Sequence, residues 1–122
     1  MNIEHLKENG TDIAVISSDE KLIIDTQSAL DLAMTVKYET GTTKIVINKS
    51  VVCDEFFILS SGMAGEILQK FINYHVKIAI YGDYSHFTSK PLKDFIYESN
   101  NGNDFFFVST KEEAIQRLTQ TQ

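Results

Sequence analysis

Three short stretches of this 122-residue chain carry side chains able to do chemistry. The first is Ser60-Ser61-Gly62, with Glu66 one helical turn further on. A serine at a helix start sits beside free amides and a partial positive charge. Its hydroxyl can cap the helix, and a phosphate added there is tolerated by the backbone while changing the surface sharply. The second is Gly82–Ser89, a polar run after an apolar strand, in which Asp83, Ser85 and His86 are candidates to bind a small ligand or a phosphate. The plain structural alternative is that Asp83 caps a turn and Ser89 caps a helix. The third is Cys53. Val51-Val52 and Phe56-Phe57 around it predict a buried, inert thiol rather than a nucleophile.

Other chemistries lack their residues. His5, His75 and His86 are far apart and fall on different predicted elements, and the single Cys allows neither an internal disulfide nor a Cys-rich zinc site. No metal or cofactor is therefore expected. The glycines stand at 10, 41, 62, 65, 82 and 102, without the spacing of a dinucleotide-binding loop. Asp94 and Glu98 share one helical face and, with Asn101, read as solvated groups or the rim of a binding surface. These gaps lean the reading away from an enzyme.

Charge and hydropathy narrow the partners. Lys plus Arg is 11 against 17 Asp plus Glu, a net charge of -6, which argues against nucleic acid and anionic membrane because phosphate binding needs clustered cations. No apolar run approaches the roughly 18 residues of a membrane span. The start Met-Asn-Ile-Glu-His has no basic region followed by an apolar run, and one lone cysteine suits a reducing compartment, so a cytoplasmic location is expected.

The elements that must hold these residues follow from periodicity. With 43% hydrophobic residues the chain can bury a core, and its length predicts one domain over 1–122, with 119–122 as a frayed tail. Ile3, His5 and Lys7 alternate as in an edge strand. Asn9-Gly10 supplies a hairpin turn, and Ile13–Ile16 is a buried strand. A helix follows from Asp25, a good cap, to Gly41. Ile45–Ile47 is the next strand, and 54–59 is an aromatic connector packed as a short helical turn. A second helix runs over 61–74, with Ala64, Ile67, Leu68, Phe71 and Ile72 as its inward stripe. Val76–Ile80 is a strand, and Pro91 opens a third helix. Phe105–Val108 is the last strand, and Ser109 with Glu112 forms a capping box before the last helix.

The resulting order, β-β-α-β-α-β-α-β-α, predicts an α/β fold: a mostly parallel sheet covered by helices, with an antiparallel N-terminal hairpin strand. Its functional loops, at the carboxyl ends of the strands, are 48–60, 82–89 and 109–110.

Ser60-Ser61-Gly62-Met63-Ala64-Gly65-Glu66-Ile67-Leu68, after an Ile-Val-Ile strand, resembles the Ser-Ser-Gly-Leu-Gly stretch of STAS domains, which include bacterial anti-sigma-factor antagonists. The element order matches that family over nearly the whole chain. The resemblance implies that Ser61 corresponds to the serine phosphorylated by a partner kinase. The chain departs from those antagonists at Leu59, where they carry an acid, and in a longer 48–59 loop. A closer likeness covers essentially the full chain. Ala64–Phe71, Asp94–Asn100 and Val108–Thr110 are similar to an uncharacterised bacterial family, domain of unknown function 4180. It implies a small STAS-like bacterial protein and passes on no activity.

The leading expectation is a non-enzymatic regulatory module that binds a protein partner through the second helix and the loop before it. Ser61 would be its switch, and Ser60, Gly62 and Glu66 would lie beside it. The first alternative is a small-molecule binder or enzyme using Asp83, Ser85 and His86, with Ser61 or Glu66 across the crevice. The second is a structural homodimer through the edge strand 2–7 or an aromatic patch drawn from Tyr38, Tyr74, Tyr81, Tyr84 and Tyr97.

Overall fold

The computed structural model describes residues 1–121. Runs of β-branched and aromatic residues form five strands: β1 (Asn2–Glu8), β2 (Thr11–Ser17), β3 (Lys44–Asn48), β4 (Lys77–Tyr81) and β5 (Phe105–Val108). The amphipathic segments form four helices: α1 (Thr26–Thr40), α2 (Met63–Asn73), α3 (Lys90–Asn100) and α4 (Lys111–Thr119). The chain is α/β, as the sequence predicts.

The strands lie in chain order, β1-β2-β3-β4-β5, with β1 antiparallel to β2 and every later pair parallel. The β1–β2 turn is Asn9-Gly10, and both residues have positive φ (50° and 78°), which matches the right-handed twist of a hairpin. Because every parallel crossover steps in the same direction, right-handed connections carry α1, α2 and α3 to one face. Their apolar stripes meet Ala14, Ile16, Ile45, Ile47, Ile78, Ile80, Phe105 and Phe107 there. The alternate residues Ile13, Val15, Val46, Ala79, Phe106 and Val108 face the other side, where Ala114 and Leu118 of α4 cover them. Burial on both faces explains the continuous apolar runs. It also corrects the reading of β1. The half-buried residues are Ile3 and Leu6, one against each core layer, rather than an Ile3, His5, Lys7 series.

The caps follow local chemistry. The Asp25 carboxylate accepts the Ser28 amide at 2.7 Å, which holds that carboxyl below its usual value, and Gly41 closes α1 in the left-handed conformation. Thr110, not Ser109, caps α4, by accepting the Glu113 amide at 3.1 Å, and the Glu113 carboxylate accepts the Ser109 amide at 3.4 Å, so the predicted Ser109–Glu112 capping box does not form. Ser109 and Thr110 are both good caps, followed by Glu112 and Glu113. Packing of Ala114 and Leu118 on the sheet selects the later start. Of the tail 119–122, Thr119 closes α4 and Lys44 Nζ donates to the carbonyls of Leu118 and Thr121, while Gln122 lies outside the described residues.

At the end of α2, His75 takes φ 59°. The amides of His75 and Val76 return to the carbonyls of Ile72 and Phe71. This is a Schellman closure with a side chain where glycine is preferred. The His75 side chain is exposed, so His75→Gly is expected to raise stability by about 1 kcal/mol and Tm by about 3 °C. Thermal unfolding monitored by circular dichroism checks it, and an unchanged or lower Tm contradicts the assignment of strain.

Candidate functional site

Between β3 and α2 the chain makes three single turns of 3-10 helix, at Lys49–Val51, Asp54–Phe57 and Leu59–Ser61. The aromatic connector predicted over 54–59 takes in the middle turn and the first residue of the last, and the turn Lys49–Val51 lies before it. Phe56 and Phe57 are buried and anchor the middle turn. The Phe56 ring lies 5.0 Å from Phe57, 6.3 Å from Phe105 and 6.2 Å from Phe107.

Ser61 ends the last of these turns. The residue capping α2 is Gly62, in the left-handed conformation (φ 81°) and without a side-chain bond. Ser61 nevertheless serves the helix from one residue upstream. Its Oγ accepts the Met63 amide at 3.2 Å and donates to the Glu55 carbonyl at 2.9 Å. Ser60, Ser61, Gly62 and Glu66 are all exposed, and Ile58, in the same surface segment, is 54% exposed. Cys53 is half-buried with Sγ 3.6 Å from Met63 Sδ, so its neighbour is a thioether and not a histidine.

The second candidate region lies at the carboxyl ends of β3, β4 and β5. The loop after β4 leaves toward the α1–α3 face, whereas the chain after β5 turns into α4 on the opposite face. Such divergence opens a crevice. Here it measures about 700 Å³ and is lined by Asn48, Asp83 and Ser85 on one side and Ser109, Thr110 and Lys111 on the other. Asp83 Oδ1 accepts the Ser85 amide at 2.9 Å, an Asx turn. The Ser85 side chain and amide together hold the Asp83 carboxyl below its ordinary value. His86 Nδ1 stands 3.8 Å from Asp83 Oδ2, both side chains being exposed. Asp83 and Ser85 therefore come together at the crevice. His86 is not among its lining residues, and neither are Ser61 and Glu66, which sequence reasoning set across it.

Sequence reasoning missed Lys49. Its ammonium sits 4.7 Å from the centre of the Phe87 ring and 5.9 and 5.8 Å from those of Phe57 and Tyr84. It forms no ion pair among the described residues. The rings stabilise the charge electrostatically. Its stem passes so close to Gly82 that a Cβ there would stand 2.8 Å from Lys49 Cβ. The available signal was the glycine ending β4, since a glycine at a strand end often marks a close approach. Tyr84 donates to the Ile80 carbonyl at 2.7 Å, and burial pushes its phenol well above its ordinary value.

The remaining candidates are placed as follows. Asp94 pairs with Lys90 at 2.8 Å one turn earlier on α3, which relieves its repulsion with Glu98. Tyr38, Tyr97 and Tyr74 are exposed, on α1, on α3 and at the end of α2, while Tyr81 and Tyr84 are half-buried. Among the described residues no group of three or more His, Cys, Asp or Glu could hold a metal, and no helix is long and apolar enough to cross a membrane.

No curated protein and no solved structure matches the chain. Residues 8–118 match the family described as Domain of unknown function (DUF4180). That span runs from the end of β1 into the last turn of α4 and takes in both candidate regions, so the chain belongs to the DUF4180 family.

Proposed function

We propose that this chain is a non-enzymatic, STAS-like regulatory module that binds a protein partner through the surface around the start of α2, with Ser61 as its phosphorylation switch. The observation that carries the reading is the double engagement of an exposed hydroxyl: Ser61 Oγ donates to Glu55 and accepts from Met63. The chemistry is phosphoryl transfer from a nucleoside triphosphate held by a partner kinase. The Oγ–P bond forms, the terminal phosphoanhydride bond breaks, the nucleoside diphosphate leaves and the hydroxyl proton passes to the kinase's base. The product can no longer donate to the Glu55 carbonyl. Its charge is drawn to the free amides at the start of α2, an eleven-residue helix. One modification thus changes both the charge and the shape of a surface that also carries Ile58.

The test is affinity purification of the tagged chain from its native host, with mass spectrometry of co-purifying proteins and of Ser61. A stoichiometric partner retained by Ser61→Ala and weakened about tenfold or more by Ser61→Asp is the expected result. If both substitutions leave every partner bound unchanged, the reading fails.

A second reading, a small-molecule site in the crevice beside Asp83, is favoured by the divergence of the two loops at that point. It ranks lower because Asp83 is already committed to the Ser85 amide and His86 stays outside the crevice.

A further inference from the structure

We propose that Ser61 and the 82–89 loop are one mechanical unit, coupled through the stacked rings of Phe57 and Phe87. Modification of Ser61 then loosens the crevice at the carboxyl edge of the sheet. The inference rests on the reading of Ser61 as a modified residue and assigns that modification a second readout.

The connection is continuous in contacts. Ser61 Oγ holds the carbonyl of Glu55 at 2.9 Å, and Glu55 belongs to the same turn, Asp54–Phe57, as Phe57. The Phe57 ring stacks on Phe87 at 5.2 Å and 19°, and lies 6.0 Å from Tyr84. Both of those rings belong to the loop that carries Asp83 and Ser85. Lys49 sits over the same rings, its stem against Gly82, and it lines a pocket with Asp83, Asp54 and Phe57. The loop is tied to the sheet near its start, by the Gly82 amide to the Val108 carbonyl at 3.0 Å and the Tyr84 hydroxyl to the Ile80 carbonyl, and beyond Tyr84 it is lightly tied. Its inner bonds are the Phe87 amide to the Tyr84 carbonyl at 3.2 Å and the Ser85 amide to Asp83. The aromatic stack and the caged ammonium supply much of what places it. Loops with few backbone bonds open at low free energy, so a small displacement of Phe57 has a measurable effect there.

Replacing the hydroxyl proton by phosphate takes away one of the two donors to the Glu55 carbonyl, leaving the Ile58 amide at 3.1 Å, and sets negative oxygen atoms against that carbonyl. Repulsion between the carbonyl oxygen and the phosphate oxygens displaces the turn 54–57, and Phe57 moves with it. Because interior packing does not deform continuously, the shift passes to Phe87, Tyr84 and Lys49 rather than dying out at one contact. Spatial contiguity alone does not establish coupling, so the test is a double-mutant comparison.

The experiment measures amide hydrogen exchange by NMR on the isolated full chain, with no partner present. Ser61→Asp is expected to speed exchange at Ser85 and Phe87 about threefold or more relative to wild type. Ser61→Thr, which keeps the donor, leaves those rates unchanged. In a Phe87→Leu background, where the stack is gone, Ser61→Asp no longer alters exchange at Ser85. Phe87 is only partly buried, so this background keeps the fold. Changes confined to 54–64 in the Ser61→Asp protein overturn the proposal, as does an undiminished effect at Ser85 after Phe87→Leu. A coupled loop in a chain that captures no partner removes the regulatory reading alone. A partner switched by Ser61→Asp with no change at 82–89 removes the coupling alone.

Discussion

Phe56→Ala is expected to cost about 3–5 kcal/mol of folding stability, a large part of the roughly 5–15 kcal/mol available to a domain of this size. The ring is 1% exposed and contacts Phe57, Phe105 and Phe107, so truncation leaves a cavity against two neighbouring residues of β5's inner face. Little can collapse into that space, because the strand on one side is fixed by its ladder and the 3-10 turn on the other is short. Phe56→Leu keeps most of the apolar volume and is expected to cost about 1–2 kcal/mol. Urea unfolding of the three proteins checks both values, with m-values unchanged if unfolding stays two-state. A loss below about 1 kcal/mol for Phe56→Ala would mean that the turn 54–57 is not anchored by this ring. The same residue links stability to the candidate switch. Glu55, whose carbonyl accepts a hydrogen bond from the Ser61 hydroxyl, is its chain neighbour, so a turn that loses its anchor also loses its hold on Ser61.

The contrast between that turn and the rest of the chain explains what the sequence could disclose. Ile13–Ile16, Ile45–Ile47, Ile78–Ile80 and Phe105–Val108 are strand segments buried on both faces, and such segments announce themselves by composition alone. Asp25 and Gly41 bracket α1 because capping is a local hydrogen-bond problem with few solutions. The single connector predicted for 54–59 proves to be part of three consecutive 3-10 turns. Turns of three or four residues have no period to detect, and here tertiary contacts of Phe56 and Phe57 decide their course. The start of α4 slipped for a related reason: Ser109 and Thr110 are chemically equivalent caps, and only packing distinguishes them. Ser61 was legible as a residue at a helix start, but its bond to the Glu55 carbonyl was not, because that partner lies six residues upstream across an irregular turn. The crevice is assembled from the ends of three strands, so no contiguous motif could mark it. Lys49 is the clearest case. A lysine reads as a solvated charge, and it becomes a structural cation only when Phe57, Tyr84 and Phe87 converge on it.

Asn100→Ala is expected to cost about 2–3 kcal/mol and to make the protein associate with itself. As the last strand in the order, β5 has an outer edge without a neighbouring strand. Asn100, at the end of α3, takes the place of that neighbour: its Oδ1 accepts the Phe107 amide at 2.7 Å and its Nδ2 donates to the Phe107 carbonyl at 3.1 Å. Arg117 fixes the asparagine from the other side, donating to its backbone carbonyl while its guanidinium lies 4.4 Å from the Phe106 ring. Alanine leaves both Phe107 groups without a protein partner beside a buried side chain. Asn100→Asp keeps an acceptor for the Phe107 amide but sets a negative oxygen against the Phe107 carbonyl, so it too is expected to lose about 2 kcal/mol or more. Urea unfolding should place both variants below wild type, and light scattering against concentration should find association greatest for Asn100→Ala. Equal stability of all three would mean that water replaces the amide without cost. The opposite edge needs no such device, because β1 carries Glu4, Lys7 and Glu8, charges that discourage a second strand from pairing. Charge guards one edge and a single amide guards the other, so removing the amide exposes a ladder that nothing else in α3 can close.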